Sequence, residues 1–453
     1  MIASIQQQLG QIMPTAVTGS VVETFGTTTA VAGFPVPIGA VVEIEPQVGP
    51  NIPAEVIGFR GEQTLIYPLT GVQGIRRGNV VRLRQSFRTV GVGEQLLGRV
   101  LDAHGKCMDH LPAPITRHRV RLDRDPPNAV NRPRIDQTIS TGVRAIDGML
   151  TCGMGQRVGI FAGSGVGKSV TLGMMARYTS ADVNVIALIG ERGREVNDFI
   201  ERDLGPEGMA RSVVIVATSD QPAIQRMQAA LTATSIAEHF REQGKNVLFL
   251  MDSVTRFAMA QREIGLAAGE PPTTKGYPPS MFALLPRLVE RTGRTQQGSI
   301  TAFYTVLVEG DDTNEPVADT VRGLLDGHII LSRKLAGKGH YPAIDVMPSI
   351  SRLMNDLVPE EVRTASIVLR DLIATYAENE DLINIGAYRQ GANPRIDMAI
   401  RLKDEIDRYL RQRVDEQATV ESAHQEMLAL VRKASIAQPQ IGTAPAQRRA
   451  GSK

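Results

Sequence analysis

The 453-residue chain has no tryptophan, and aromatic residues make up only 4% of it. A groove that stacks single-stranded bases needs aromatic side chains, so this scarcity argues against a nucleic-acid binder. Charge of one sign is equally scarce: 50 Lys and Arg face 48 Asp and Glu, leaving a net charge of +2. That balance gives little of the counterion release that drives binding to a phosphate backbone. There are two cysteines, Cys107 and Cys152, and neither they nor the seven histidines fall at metal-ligand spacing. Zinc chemistry and a disulfide framework are both disfavoured. No apolar run approaches the ~18 residues of a membrane span, and the opening segment lacks the basic start and apolar middle of a secretory signal. The expected setting is the cytoplasm.

What is present is ordinary globular material, 42% hydrophobic and 22% charged, and enough of it for two or three domains. Its most informative stretch is Ala162-Gly163-Ser164-Gly165-Val166-Gly167-Lys168-Ser169, which follows the apolar run Val158–Phe161 and leads into a helix-like segment from Val170. This reads as a phosphate-binding loop. Three glycines in five positions let backbone N–H groups converge on phosphate oxygens, and the following helix offers its positive end. Lys168 reaches the β- and γ-phosphates and the Ser169 hydroxyl is placed to ligate Mg²⁺, so a nucleoside triphosphate with Mg²⁺ is the expected ligand. The first position of the motif is Ala162 where glycine is usual.

Elsewhere the chain changes character in steps. From Ala16 to Leu83, short β-formers alternate with Gly and Pro, which suits a small closed barrel over residues 1–87. Residues 88–140 contain Asp125-Pro126-Pro127-Asn128 and Asn131-Arg132-Pro133 and read as an extended connector. From 141 to 354, apolar runs (Val183–Ile189, Val213–Val216, Val247–Met251, Ile300–Val308) alternate with helix-like stretches such as Gln221–Gln243. That is the pattern of an α/β domain whose parallel sheet is covered on both faces. Over 355–436 the apolar residues take helical spacing, as at Met398, Leu402 and Ile406, and a helical domain is expected. Residues 437–453 read as a flexible tail. Met1–Pro14 carries Ile2, Ile5, Leu9 and Ile12 at spacing that allows an amphipathic helix able to dock a regulator or a membrane surface, or a frayed terminus.

Two further sites fit the phosphate loop. The run Val247–Met251 ends in Asp252, a carboxylate at the sheet edge suited to anchoring the cation. Val183–Ile189 ends in Gly190-Glu191-Arg192-Gly193-Arg194-Glu195. There Glu191 is placed to polarise an attacking water and Arg192 to absorb charge as the β–γ bond breaks. A surface ion-pair cluster of Arg194, Glu195 and Asp198 accounts for the same residues without chemistry.

The stretch Tyr341-Pro342-Ala343-Ile344-Asp345-Val346-Met347-Pro348-Ser349-Ile350-Ser351-Arg352 resembles the signature of the ATP synthase α/β family. Together with Gly190–Glu195, Tyr277-Pro278-Pro279-Ser280 and Val308-Glu309-Gly310-Asp311-Asp312, it is similar in particular to the flagellar and type III protein-export ATPases. The resemblance spans roughly residues 15–435 and rests on several separated motifs in the family's order. It implies an N-terminal β-barrel, a RecA-like P-loop core and a C-terminal helical domain, assembled as a homohexamer. It also implies that Gly163–Val170 hold ATP with Lys168 on the phosphates and that Ser169 and Asp252 hold Mg²⁺. Glu191 and Arg192 would act in catalysis, Arg352 would be an arginine finger from the neighbouring chain, and Tyr341 would stack on adenine.

Implied partners are a stalk protein, a stator-like regulator and export substrates with their chaperones, at the inner membrane's cytoplasmic face. Two other readings stay open. A rotary synthase subunit would carry the same glutamate, though Ala162 and the Gly193–Val196 continuation fit the export branch better. An RNA translocase also places a barrel before such a core, but here only Phe25, Phe34, Phe59, Tyr67 and Phe87 precede the core, with no basic cluster among them.

Overall fold

The computed structural model describes residues 17–308 and 315–436. The expected segment Met1–Pro14, the tail after 436 and the Glu309–Asp312 part of one motif lie outside the described residues. Six strands, β1 (Thr18–Phe25), β2 (Thr28–Ala32), β3 (Val41–Glu45), β4 (Ile52–Arg60), β5 (Gln63–Pro68) and β6 (Val80–Gln85), close into a barrel in the order β1-β2-β5-β4-β3-β6. Alternation along the strands turns Val42, Ile44, Val56, Ile66 and Val81 inward, where they form one apolar core. The tight turns after β1 and β4 begin with Gly26 and Gly61 at φ of 56° and 57°, a conformation glycine adopts at no steric cost.

The central sheet contains β7 (Arg99–Asp102), β8 (Arg157–Ala162), β9 (Val183–Ile189), β10 (Ser212–Ala217), β11 (Asn246–Asp252), β12 (Ser299–Leu307), β13 (Gly327–Leu331) and β14 (Ile344–Ser351). Their order is β14-β13-β8-β12-β11-β9-β10-β7, parallel throughout except for β14, which runs antiparallel to β13. Strand β9 is buried along its whole length, as a sheet covered on both faces requires. Strand β7 comes from the stretch read as an extended connector. Its buried Leu101 packs under the edge of the sheet, so part of the connector belongs to the core.

Helices cover the faces: α1 (Arg144–Met149), α2 (Lys168–Tyr178), α3 (Gly193–Asp198), α4 (Ala223–Glu242), α5 (Val254–Ala268), α6 (Pro279–Glu290) and the short α7 (Arg333–Gly337). Three more, α8 (Glu360–Asn384), α9 (Pro394–Leu410) and α10 (Val420–Ile436), form the helical region, with Leu402, Ile406 and Met427 buried in it. None of the described helices is long and apolar enough to cross a membrane.

A buried charge locks the connector to the sheet's cover. Arg291, 2% exposed at the end of α6, makes a two-pronged pair with Glu238 of α4, both contacts at 2.8 Å. It also donates to the Leu122 carbonyl at 2.7 Å and to Ser235 Oγ at 2.9 Å. Removing one partner leaves a desolvated charge behind. Arg291→Met should therefore destabilise the core by about 3–5 kcal/mol, and replacing Glu238 by Leu as well should return much of that. The midpoints of chemical unfolding of the single and double variants measure both; equal midpoints would show that the pair contributes little.

Candidate active site

The glycine loop sits between β8 and α2 at the carboxyl edge of the parallel strands, where open α/β sheets bind their ligands. Gly165 and Gly167 have φ of 78° and 85°, so side chains there would be strained. A Cβ on Gly163 would lie 2.6 Å from the Arg333 guanidinium, so that side chain packs directly against the loop. Ala162 is the last residue of β8, buried and paired with Leu307 and Leu331. Its methyl belongs to the sheet, and the departure from the usual glycine leaves the loop's shape intact. Gly163, Ser164, Gly165, Gly167, Lys168, Ser169 and Val170 all line one cavity of about 610 Å³, with Val166 buried beneath.

Lys168 Nζ donates to Asp252 Oδ1 at 2.5 Å and to Glu191 Oε1 at 3.2 Å. The sheet order explains how residues so far apart in sequence meet. Glu191 follows β9, Asp252 ends β11, and β12 between β8 and β11 supplies Thr305, whose Oγ1 donates to Asp252 Oδ1 at 2.7 Å. Burial alone would lower the Lys168 pKa, but the two carboxylates, Asp252 foremost, outweigh it and hold it above the usual lysine value. Burial, with the nearby Asp252 charge, pushes Glu191 up to about 7 despite the attraction of Lys168. A hydrogen bond shared with Glu191 holds Glu195 below the usual carboxylate range.

Arg192 lines the same cavity, yet its side chain is 82% exposed and paired with Glu195 at 3.1 Å. The neighbouring pair Arg194–Asp198 at 3.4 Å completes the surface cluster that the spacing allowed. Tyr341 lies across the loop from these groups. Its ring would be 3.4 Å from a Cβ on Gly167, and it opens onto a second cavity of about 800 Å³ bounded by Arg144, Arg408, Gln412 and Arg413. Arg352 is placed apart. It is exposed and lines a separate cavity with His328, Met347 and Arg363, outside the one that holds Lys168.

Two cations in the loop's cavity went unread in the sequence, Arg256 and Arg333. Arg256 lies in the first turn of α5, its Nε buried without a partner and its side chain within 3 Å of where a Cβ on Gly190 would be. Its position four residues after Asp252 was a legible signal, since the first turn of that helix faces the same sheet edge. Arg333 follows β13, which pairs directly with β8; without β13 in the expected strand list, nothing marked it.

Hard oxygen donors suit a hard cation: Ser169 lines the cavity, and buried Asp252, tied to the cavity through Lys168, keeps its Oδ2 out of the bonds to Lys168 and Thr305. No group of three or more His, Cys, Asp or Glu converges as a cage among the described residues. Mg²⁺ held through phosphates needs none, so the residues fit it.

A glycine loop on a strand-to-helix turn, a lysine between two carboxylates and a parallel sheet presenting all three define a P-loop nucleotide-binding protein. Residues 142–351 match the nucleotide-binding domain of the ATP synthase alpha/beta family, and residues 358–429 match the T3SS EscN ATPase C-terminal domain. The chain is 56% identical to the flagellum-specific ATP synthase of Bacillus subtilis, over 83% of its own length and 86% of that protein's. It is 50% identical to the type 3 secretion system ATPase of Xanthomonas euvesicatoria, over 89% and 92% respectively. Among solved structures, assembled EscN in complex with its central stalk EscO, from enteropathogenic E. coli, superposes with a TM-score of 0.85. That match is at 45% identity and covers 91% of this chain and 100% of the other. The chain belongs to the ATP synthase α/β family, alongside the flagellar and type III secretion ATPases, and is an ATPase.

Proposed function

We propose that this ATPase energises protein export through a flagellar or related type III apparatus, and that it works as a ring of six identical chains in which each catalytic site is completed by its neighbour. The observation that carries the ring is the separation of Arg352 from its own chain's phosphate loop: an exposed arginine outside the Lys168 cavity is available to the next chain. Relatives of both export types support the role, flagellum-specific ones at 44–56% identity and type 3 secretion ones at 50%, so the identities fit either apparatus.

In the ring, the amides of Gly163–Val170 and Lys168 would hold the phosphates, and Tyr341 would stack on adenine. Ser169 and Asp252 would hold Mg²⁺, which when bound neutralises charge on the β- and γ-oxygens. Glu191 takes the proton from the attacking water while Arg192, released from Glu195, and the neighbour's Arg352 meet the negative charge that builds on the γ-phosphoryl group. A stalk protein would bind the ring, as the central stalk EscO binds assembled EscN, with a stator-like regulator and export substrates with their chaperones as further partners. We place the complex in the cytoplasm, peripheral to the inner membrane.

The test is the ATPase rate per chain across a wide protein concentration range, with sizing in parallel and with RNA added to matched samples. The rate should rise as rings form and ignore RNA. A rate constant with concentration while rings form would remove the shared site, and dependence on RNA would indicate a translocase.

A further inference from the structure

Strand β14 does not run straight to Arg352. Its pairing with β13 aligns Ile344 with Leu331 and Asp345 with Ile330, then resumes with Ile350 on His328 and Ser351 on Gly327. Between the two paired stretches the single residue Ile329 faces four, Val346–Ser349. A bulge of that size takes backbone carbonyls out of the ladder, and in a packed joint each needs another donor. Within the sheet, His328 Nε2 meets the Pro348 carbonyl at 2.9 Å, and Ile330 N donates to Ser349 Oγ at 2.9 Å.

Two more of the bulge's carbonyls are met from the helical region. Arg370, half-buried on α8, uses Nη1 for the carbonyls of Val346 and, at 3.4 Å, Ser349. Its Nη2 reaches the carbonyl of Met149, the last residue of α1, at 3.1 Å. One guanidinium thus ties the bulge to a helix end of the core. Three residues beyond Ser349 the chain reaches Arg352, whose N–H is fixed on Asp326 O at 3.0 Å, and both arginines line the same cavity of about 640 Å³.

We propose that Arg370 is a positioning residue for Arg352: by holding the β14 bulge against α1, it sets the direction in which the Arg352 guanidinium leaves its own chain toward the neighbour's phosphate loop. The inference rests on the reading of Arg352 as the arginine supplied in trans. A planar fork is what three carbonyls on two elements require, and a lysine ammonium, a point charge on a flexible stem, does not reproduce it. Because α8 opens the helical region, the clamp also makes the position of Arg352 depend on how α8 seats on the core.

A residue that only stabilises its own chain cannot be repaired by a neighbour, whereas a misplaced Arg352 can be replaced by a correctly placed one from the next chain. The experiment uses full-length Arg370→Met and Arg370→Lys, each alone and mixed in equal amounts with Lys168→Ala. Mixtures of Arg352→Ala with Lys168→Ala serve as the reference. Alone, Arg370→Met rings should turn over at least tenfold more slowly, with affinity for a fluorescent ATP analogue within twofold of the parent. Mixing with Lys168→Ala should restore activity to the extent seen for Arg352→Ala, and Arg352→Ala/Arg370→Met should be no slower than Arg352→Ala alone. Arg370→Lys should fall between; if the Met variant does not fold, loss and rescue of the Lys variant carry the test. Failure of Arg370 variants to be rescued where Arg352→Ala is rescued would overturn the positioning role and leave the finger standing. Failure of Arg352→Ala itself to be rescued would overturn the finger and this inference with it.

Discussion

Glu191→Gln is expected to lower kcat by about 10²–10⁴-fold, the range for loss of a positioned general base, while ATP binding stays close to that of the parent. The side chain keeps its size and its place beside Lys168 but can no longer accept a proton. Lys168→Ala should fail differently, because it removes the cation from the phosphates and leaves Asp252 and Glu191 facing each other unpaired, so nucleotide affinity itself collapses. Separate measurement of nucleotide binding and single-turnover hydrolysis distinguishes the two.

The acid limb of the pH profile gives an independent readout. With its folded pKa pushed up to about 7, Glu191 is largely protonated below that pH and unable to act as base, so kcat/KM should fall as pH drops through about 7. The limb should be missing in Glu191→Gln, whose small residual rate has no such carboxyl to titrate. A parent enzyme with a flat profile from pH 6 to 8, or a Gln variant that hydrolyses at the parental rate, would remove Glu191 from the base role.

The parts of this site that could be read in the sequence are those where one residue type at one spacing has few other uses. Gly-Lys-Ser after an apolar strand, and an aspartate closing another, are demanding patterns. The structure brings Glu191 and Asp252 within hydrogen-bonding reach of Lys168. Helical spacing around Leu402 and Ile406 was equally direct, since an amphipathic stripe has little choice but to be buried.

What was hidden depended on which strands become neighbours, and a linear pattern does not carry that order. Thr305 is one more residue in an apolar run until β12 is seen to lie beside β11, and Arg333 has no evident function until β13 lies beside β8. The edge strand β7 was masked by its surroundings: four residues among turns and prolines look like a connector, and only pairing with β10 makes them part of the sheet. Arg352 is a third case. Its motif was legible through family resemblance, but its place outside its own chain's phosphate cavity emerges only from the fold.

Arg352→Ala is accordingly expected to leave each chain folded, able to bind ATP and able to form rings, yet to abolish the gain in rate that assembly brings. An arginine that meets transition-state charge in phosphoryl transfer contributes about 10³–10⁵-fold. Arg192 and Arg256 line that cavity from within the chain, so the residual rate of the variant should match that of dilute, unassembled parent protein. This equality is the sharp form of the prediction. If Arg352 held the ring together instead, the variant would lose assembly and activity in parallel, and high protein concentration would restore both. If it acted on its own chain's nucleotide, the dilute parent would already be faster than the dilute variant. Rate per chain and oligomer mass, followed together over concentration for both proteins, separate these cases, because only an arginine working across the interface leaves the two proteins indistinguishable when apart and different when assembled.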